Sequence, residues 1–289
     1  MNPLYPYTES DQLTWRRFFE AMEKVWQENA AILHPWYRKH VHYLARFRER
    51  IPSLPELNEV LAPIGWRAQH VEGLAPAWDI AQLLHQRIMP VSRSIRAPEQ
   101  IFFANEPDLI HDIFGHLPSL FDPEYRALLR RWTSRAASFP ISEMDRASYH
   151  LNKQIVQSEG RVPKETLDFL HQAVTTLQSF TSRIPSPTLL YEKIYFWCFE
   201  FGIVKHADQI QVLGAGLLTS LSELKKFVDG DIKIKALDVE TVLAPYHIAT
   251  EQDLYHAVSH TDAYEGLIVS LEERMKAHLS APERTYAYG

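Results

Sequence analysis

Residues 105–118, NEPDLIHDIFGHLP, contain two closely spaced histidines, His111 and His116. Far along the chain, the run YFWCFEFG at residues 195–202 places Glu200 among aromatic residues. Two imidazoles and one carboxylate form the ligand set of ferrous sites that keep open coordination positions. An open ferrous site can bind O2 together with a co-substrate. The pattern therefore indicates an oxygenase rather than a generic helical protein.

The spacing of the two histidines needs a local explanation. His111 and His116 are five residues apart, which on a straight α-helix corresponds to a rotation of ~140° between their side chains. Gly115 and Pro118 allow the helix to end or kink, so that the second ring can turn inward. A bare pair of this spacing is common in proteins without a metal, so the third ligand matters. Glu200 is the best candidate, since a carboxylate in an aromatic setting needs a cation partner.

The composition limits the classes of protein that fit. The chain has 289 residues, a formal net charge of −6 and one cysteine, Cys198. The negative charge argues against a nucleic-acid surface, and a lone cysteine fits a reducing cytoplasm. The polar N-terminus does not resemble a signal peptide, and no apolar run reaches the ~20 residues that span a bilayer. We therefore expect a cytoplasmic protein that binds neither nucleic acid nor membranes.

Hydrophobic periodicity predicts a mostly α protein with a few short strands. A strand is predicted at residues 67–71. The main predicted helices share apolar residues at a spacing of three or four, and they cover residues 13–31, 77–89, 123–139, 142–159, 164–182, 188–204 and 251–271. We find no internal repeat.

Three segments together resemble one known family. They are EPDLIHDIFGHLP at 106–118, FEFGIVK at 199–205 and GAGLLTSLSEL at 214–224. They are similar to the pterin-dependent aromatic amino acid hydroxylases, non-haem iron enzymes that hydroxylate phenylalanine, tyrosine or tryptophan, and above all to the compact bacterial phenylalanine-4-hydroxylase-like members. Weaker similarity extends the resemblance over about residues 5–270, less one stretch described below.

The resemblance implies a single catalytic domain over residues 1–289, mostly helical, with iron at the base of a deep cleft. It implies Fe(II) as the metal, with tetrahydropterin and O2 as co-substrates. The implied reaction is hydroxylation of the ring of a small aromatic amino acid, phenylalanine or tryptophan. We expect a monomer or a homodimer.

The resemblance also assigns roles to residues. His111, His116 and Glu200 are implied as iron ligands. Arg96 is implied to bind the substrate carboxylate, a task that suits the planar fork of a guanidinium, and Thr219 to place a hydroxyl near the substrate. The remaining implied positions lie around the two small molecules: the substrate pocket at Pro107, Phe196 and Phe201, and the pterin site at Gly73, Leu74, Asp112 and Tyr195.

The largest departure from the family is an insertion. The gap between His116 and Glu200 is roughly twice the usual length. The excess lies within about residues 130–188 and is predicted to be helical. It could cover the site, form an oligomer contact or decorate the surface.

Three single residues also depart from the family pattern. Ile80 stands where a phenylalanine usually stacks on the pterin ring, although Trp78 is close and could replace it. Asp112 stands in place of a glutamate that is one methylene longer. Phe196 stands where phenylalanine hydroxylases have tryptophan and tryptophan hydroxylases have phenylalanine. The pterin contacts and the choice of substrate are therefore open.

Three alternatives stay open at this point. The substrate could be another aromatic carboxylic acid such as anthranilate, which product analysis would show. The protein could be a zinc hydrolase, which metal analysis and a lack of O2 uptake would show. It could also be a non-catalytic helical binding module, which a lost pterin site would favour.

Overall fold

The computed structural model describes residues 7–72, 75–158, 161–181, 186–244, 246–247 and 250–280. Helices dominate this part of the chain, and the strands are short, so the predicted mostly α fold is confirmed. The α-helices are α1 (Glu9–Glu28), α2 (Pro35–Arg38), α3 (Leu54–Leu61), α4 (Ala77–His85), α5 (Pro123–Ala136), α6 (Glu143–Ser158), α7 (Lys164–Thr181), α8 (Pro187–Tyr195), α9 (Ala215–Leu218), α10 (Leu221–Asp229) and α11 (Asp262–Ser280).

Two short segments have π-helical geometry, and we call them the first π turn (His111–His116) and the second π turn (Phe196–Glu200). Short 3₁₀ segments connect several elements, at Ala30–Ile32, Val41–Phe47, Ala62–Ile64, Pro98–Gln100 and Ser119–Phe121. Among the described helices, none has the length and the apolar character needed to cross a membrane.

The described strands form three two-stranded sheets. They are β1 (Arg67–Val71) parallel to β2 (Ile88–Ser92), β3 (Ile203–His206) antiparallel to β4 (Gln209–Val212), and β5 (Ile234–Ala236) parallel to β6 (Tyr255–Ala257). Arg67 lies opposite Ile88, Ile203 opposite Val212, and Ile234 opposite Tyr255.

Helix α1 begins with a reciprocal cap. The Thr8 hydroxyl accepts the Asp11 N–H at 3.2 Å, and the Asp11 carboxylate accepts the Thr8 N–H at 2.8 Å, so two N–H groups at the helix start are satisfied. The buried face of α1 packs against Phe114 of the first π turn. The ring centroids of Trp15 and Phe18 each lie 4.9 Å from that of Phe114. The buried face of α1 therefore holds the first π turn, which contains both histidines, in place.

Replacing Phe114 with alanine is expected to lower the free energy of unfolding by about 3–5 kcal/mol, because a fully buried ring leaves a cavity among other rings. Urea denaturation measures this. The control is Phe102→Ala, since Phe102 is 64% exposed and its loss should change stability by no more than about 0.5 kcal/mol. A loss below about 1 kcal/mol for Phe114→Ala would contradict the tight packing of this ring against α1.

The predicted strand at 67–71 is correct, but the helix predicted over 77–89 ends early. Helix α4 stops at His85, Arg87 turns the chain with φ 58°, and the chain continues as β2. Pro90 has no N–H to donate. It is tolerated in β2 because β2 pairs with β1 alone, and its other edge has no partner strand that would need a hydrogen bond. Periodicity failed here because pairing with β1 overrides local preference.

The helix predicted over 251–271 is wrong in its first part. Tyr255–Ala257 forms β6 beside β5, and α11 begins only at Asp262. The Leu237 N–H donates to the Ala257 carbonyl at 2.8 Å, and the Tyr255 N–H donates to the Lys233 carbonyl at 2.9 Å. These partners lie far away in sequence, so a local pattern could not show them.

The helices predicted over 142–159 and 164–182 are observed as α6 and α7, which pack against each other as a hairpin. One cluster of buried apolar residues connects α1 with α11, and among the described residues none of its members falls between Ala136 and Leu190. The hairpin therefore lies outside the main core. A single catalytic domain over residues 1–289 stays a prediction.

His34 caps the start of α2, where its Nδ1 accepts the Trp36 N–H at 3.2 Å. Burial lowers the pKa of His34 from 6.5 to about 4. The unfolded chain therefore binds a proton between these values that the folded chain does not, and stability is lost as the pH falls from about 6.5 to about 4. We expect a loss of roughly 2–3 kcal/mol from this group.

The variant His34→Asn keeps a side-chain acceptor at the helix start and removes the titrating group. Its free energy of unfolding should depend less steeply on pH over the same interval, as followed by urea denaturation at a series of pH values. Equal pH dependence in the two proteins would refute the assignment to His34.

Candidate metal centre and cleft

The first π turn explains how two histidines five residues apart reach one point. In a π turn, the backbone hydrogen bonds run from residue i to residue i+5, so His111 and His116 lie on the same side. The sequence suggested that the helix would end or kink at Gly115 instead. Gly115 has a different role, because a Cβ there would lie 2.7 Å from the Cβ of Ala215. Glycine thus lets α9 approach the histidines.

Glu200 lies at the end of the second π turn. The helix predicted over 188–204 begins correctly as α8, but its last turn widens at Phe196, and β3 follows at Ile203. Gly214 allows close packing here, since a Cβ at Gly214 would lie 2.3 Å from the Glu200 carbonyl oxygen. Both segments that supply candidate ligands are therefore π turns, and both pack closely against residues 214–216.

The three candidate ligands converge. His111 Nε2 lies 3.3 Å from Glu200 Oε2, His116 Nε2 lies 3.2 Å from Glu200 Oε1, and the two Nε2 atoms are 3.2 Å apart. Ligand atoms about 2 Å from one ion lie roughly 3 Å from each other. Within the described ranges, no other set of His, Cys, Asp or Glu side chains brings three such atoms together.

The charges of this group suit a divalent cation. Burial by itself would raise the pKa of Glu200, but the His111 and His116 rings lower it to about 2, so Glu200 is a carboxylate. Burial lowers the pKa of His111, which favours the neutral ring that can bind a metal. Burial opposes protonation of His116, but the Glu200 carboxylate raises the pKa of that ring, so the carboxylate and the two ring nitrogens, which lie 3.2 Å apart, together attract a positive charge. A cation between them would satisfy all three donors, so the residues fit a bound Fe(II).

Thr219 fixes the orientation of the first ring. Its hydroxyl donates to the Ala215 carbonyl at 2.8 Å, and its oxygen lies 3.3 Å from His111 Nδ1. Because the hydroxyl hydrogen is already used, Nδ1 of His111 must donate, and the lone pair of Nε2 points to the centre. Such a second contact holds a metal-binding histidine in one tautomer. Thr219, expected near the substrate, therefore also contacts a candidate ligand.

Arg96 is buried and firmly held. Its Nε and Nη2 donate to the two oxygens of Asp108 at 3.0 and 2.8 Å, and its Nη1 donates to the Thr219 carbonyl at 2.9 Å. These contacts use three of the five N–H donors of a guanidinium, which leaves two for a carboxylate in the cleft. The position is suited to the role implied for Arg96.

Asp108 is a residue that the sequence did not reveal. Besides binding Arg96, it accepts the His111 backbone N–H at 2.9 Å. It thus connects the arginine to the start of the first π turn. An aspartate three residues before His111, and directly after Pro107, is a helix-start pattern that could have indicated it.

The candidate ligands lie in a cleft of about 1020 Å³, counting its part open to solvent. The cleft brings together the described residues to which the resemblance assigned roles: Arg96, Pro107, His111, Asp112, His116, Tyr195, Phe196, Glu200, Phe201 and Thr219. Gly73 and Leu74 lie outside the described residues. Glu106 and His247 also line the cleft, although no sequence motif pointed to them.

One side of the cleft fits a flat ring with polar edges. Its wall is aliphatic and includes Ala77, Ile80 and Pro90. Asp112 lies on the same side, where its Oδ2 accepts the Ser92 N–H at 2.6 Å and burial raises its pKa. A carboxyl group there can bond to ring N–H groups of a pterin.

Two residues expected near a pterin occupy unexpected positions. The Tyr195 hydroxyl helps to keep the pKa of the Glu200 carboxyl low, so Tyr195 acts on a candidate ligand as well as lining the cleft. Trp78 packs edge-to-face on Tyr149 of α6, with 5.4 Å between ring centroids, and is not among the lining residues. It therefore does not replace the ring that is absent at Ile80.

Comparison with known proteins agrees with this geometry. The family described as "Biopterin-dependent aromatic amino acid hydroxylase" matches residues 2–134 and 189–283. The phenylalanine-4-hydroxylase of Pseudomonas aeruginosa is 25% identical over 288 residues, with 97% of this chain and 92% of that protein covered. The phenylalanine-4-hydroxylase of Bos taurus is 27% identical over 91% of this chain, which spans 49% of that protein.

A solved structure shares the fold. The phenylalanine hydroxylase of Chromobacterium violaceum, with bound iron(III) and 7,8-dihydrobiopterin, has a TM-score of 0.68 at 21% identity, covering 95% of this chain and 85% of that one. The family match covers most of the chain and includes all three candidate ligands, and it leaves out residues 135–188, which contain α6 and α7. From its sequence match and from the convergence of His111, His116 and Glu200 in one cleft, the chain belongs to the biopterin-dependent aromatic amino acid hydroxylases.

Proposed function

We propose that the protein is an Fe(II)- and tetrahydropterin-dependent monooxygenase that hydroxylates the ring of an aromatic amino acid, with phenylalanine or tryptophan as the substrate. The observation that carries this proposal is the triad of donor atoms 3.2–3.3 Å apart at the cleft. Relatives named phenylalanine-4-hydroxylase support it. So does the bound iron and dihydrobiopterin of the Chromobacterium violaceum structure.

In this proposal His111, His116 and Glu200 hold the iron. When bound, iron, pterin and O2 supply the redox chemistry. The protein supplies orientation and charge: Thr219 keeps the Nε2 lone pair of His111 directed at the centre, and Tyr195 helps to keep Glu200 a carboxylate. An iron held by only these three residues would keep coordination positions open for O2, on the side that faces the cleft.

Arg96 is proposed to bind the substrate carboxylate with its two remaining N–H donors. Because Asp108 and the Thr219 carbonyl already hold the guanidinium, little side-chain entropy is lost when a substrate binds. The exposed carboxylate of Glu106 lines the same cleft. A cation and an anion together suit a zwitterionic amino acid better than an acid without an ammonium group, such as anthranilate.

The proposed substrate pocket has an aromatic wall. Phe196 stacks on Tyr246, with 4.1 Å between centroids and 22° between planes, and lies 6.0 Å from Phe201. Flat side chains arranged in this way can pack against the ring of a substrate. The phenylalanine side chain at position 196 is smaller than the tryptophan found there in phenylalanine hydroxylases. It leaves more room in the pocket, which is compatible with the indole ring of a tryptophan substrate.

The experiment is product analysis. Iron-loaded protein is incubated with tetrahydropterin, O2 and, in separate reactions, phenylalanine, tryptophan, tyrosine and anthranilate. We expect a hydroxylated phenylalanine or tryptophan, formed together with oxidised pterin. A product from anthranilate alone would establish the alternative substrate class. Bound zinc without O2 uptake would contradict the proposal.

We also propose that the protein acts in the cytoplasm as a monomer or a homodimer on a small-molecule substrate. The buried thiol of Cys198 and the absence of a long apolar helix among the described residues are compatible with this. Light scattering during gel filtration would measure the mass, and a tetramer would contradict the proposed state.

A further inference from the structure

Residues 135–188, which the family does not match, are here called the insertion. It contains α6 and α7, which lie outside the main core, whereas Ala136 and Phe139 at its beginning pack in or against that core. Its influence on the cleft therefore depends on the few places where it contacts the body of the protein. Two such places are clear in the structure.

The first contact is at the base of the insertion. The Asp145 carboxylate accepts the Ser142 hydroxyl at 2.6 Å and the Ser186 hydroxyl at 2.7 Å. Ser186 in turn caps α8 by accepting the Leu189 N–H at 3.0 Å. One buried carboxylate therefore joins the start of α6 to the start of α8, the helix that leads to Glu200.

The second contact is with α4. Tyr149 of α6 packs edge-to-face on Trp78, with 5.4 Å between centroids and 69° between planes, a favourable arrangement for aromatic rings. The Gln82 side chain donates to the carbonyl of Ala137, at the beginning of the insertion, at 2.8 Å. Trp78 and Gln82 are four residues apart and share one face of α4. The insertion thus holds that face at two points.

Another face of α4 forms part of the cleft. Ala77 and Ile80 belong to the aliphatic wall of the cleft, and Asp112, whose carboxyl group is proposed to bond to the pterin, lines the same cleft. This wall has an aliphatic side chain at position 80, so a bound ring gains no stacking partner from α4. Its affinity there depends on how closely the wall approaches the ring, and the position of α4 decides that distance.

We infer that the insertion braces α4 through the contact of Tyr149 with Trp78, and that this brace sets the width of the pterin side of the cleft. Tyr149 and Trp78 are positioning residues for the pterin, and the inference rests on the proposed function. Because α4 also packs against β2, α5 and α8, loss of the Tyr149 ring permits only a small outward shift of its first turn. A shift of a few tenths of an ångström already weakens the van der Waals contact between the aliphatic wall and the pterin ring.

The test compares three variants. Tyr149→Leu removes the ring and its hydroxyl, Tyr149→Phe removes only the hydroxyl, and Phe169→Leu removes a ring at a residue of α7 that is 68% exposed. Tetrahydropterin binding to iron-free protein is measured by anaerobic calorimetry, and KM for pterin and for the aromatic substrate is measured on iron-loaded protein. Circular dichroism and thermal unfolding report whether each variant is folded.

We expect Tyr149→Leu to weaken pterin binding by about three- to tenfold, as the loss of one aromatic contact implies, and to raise the pterin KM by the same factor. The substrate KM and kcat should stay within about twofold. Tyr149→Phe and Phe169→Leu should match the wild type. Adding Ile80→Phe to Tyr149→Leu should restore pterin affinity, because it supplies a ring in the wall.

The outcomes separate this inference from the proposed function. A wild type that binds no tetrahydropterin overturns both. A wild type that binds it while Tyr149→Leu binds it equally well overturns only the inference, as does an equal loss of pterin and substrate affinity. If Tyr149→Leu does not fold, the inference is tested by hydrogen exchange of the wild type with and without tetrahydropterin. Pterin should slow the exchange of backbone amides in α6 as well as in α4. Protection confined to α4 would overturn the inference.

Discussion

Replacing His116 with alanine is expected to remove iron binding and activity together. The ring supplies one of three donor atoms that lie 3.2–3.3 Å apart, and two donors do not hold a divalent ion firmly in a site of this kind. Loss of a residue that only orients a ligand costs about 10–100-fold in metal affinity, so loss of a ligand should cost more than about 100-fold. Iron content after reconstitution, and turnover with tetrahydropterin, measure the effect.

The matched control is His171→Ala, since His171 is an exposed histidine of α7, and this variant should bind iron as the wild type does. Thr219→Val gives an intermediate case, because it removes the oxygen that accepts the His111 Nδ1 hydrogen at 3.3 Å and keeps the ligands. We expect it to lose about 10–100-fold in iron affinity. Full iron content in His116→Ala would refute the ligand assignment.

Replacing Arg96 with lysine is expected to raise the substrate KM by about 10–100-fold, since a charged hydrogen bond contributes roughly 1.5–3 kcal/mol. Lysine keeps the positive charge but cannot bind Asp108, the Thr219 carbonyl and a substrate carboxylate at once, because it has three donors on one atom. Steady-state kinetics with varied aromatic substrate and fixed pterin measure the change.

Arg93→Lys is the control for this prediction, because Arg93 lies three residues earlier and is exposed. Its substrate KM should equal that of the wild type. Iron content should be unchanged in both variants, which separates substrate binding from metal binding. An unchanged substrate KM in Arg96→Lys would show that the guanidinium does not bind the substrate.

The sequence was sufficient for chemistry that lies in short motifs. His111 and His116 share one motif, and the aromatic setting of Glu200 marks it as a carboxylate in need of a cation. The helices of the insertion, α6 and α7, were also predictable, because their apolar periodicity is long and regular. These features depend on residue type and on local spacing.

Local patterns failed where a distant partner decides the structure. The first two residues of β2 and all of β6 were predicted as helix, because their pairing with β1 and β5 is not visible in a local window. The two π turns were missed for a related reason. A π turn is less stable than a regular α-helical turn. Its free-energy cost is offset by tertiary contacts, such as the close packing of α9 at Gly115, and a local pattern does not show these contacts.

The sequence by itself indicated the family and predicted the three candidate ligands, because ligand chemistry is a property of side chains. The tertiary structure alone revealed the contacts around these residues: Asp108 on Arg96, Thr219 on His111, and Tyr149 on Trp78. The latter two of these contacts join residues far apart along the chain. Such contacts arise from how helices pack in three dimensions, and packing depends on shape complementarity that no periodic pattern of the sequence contains.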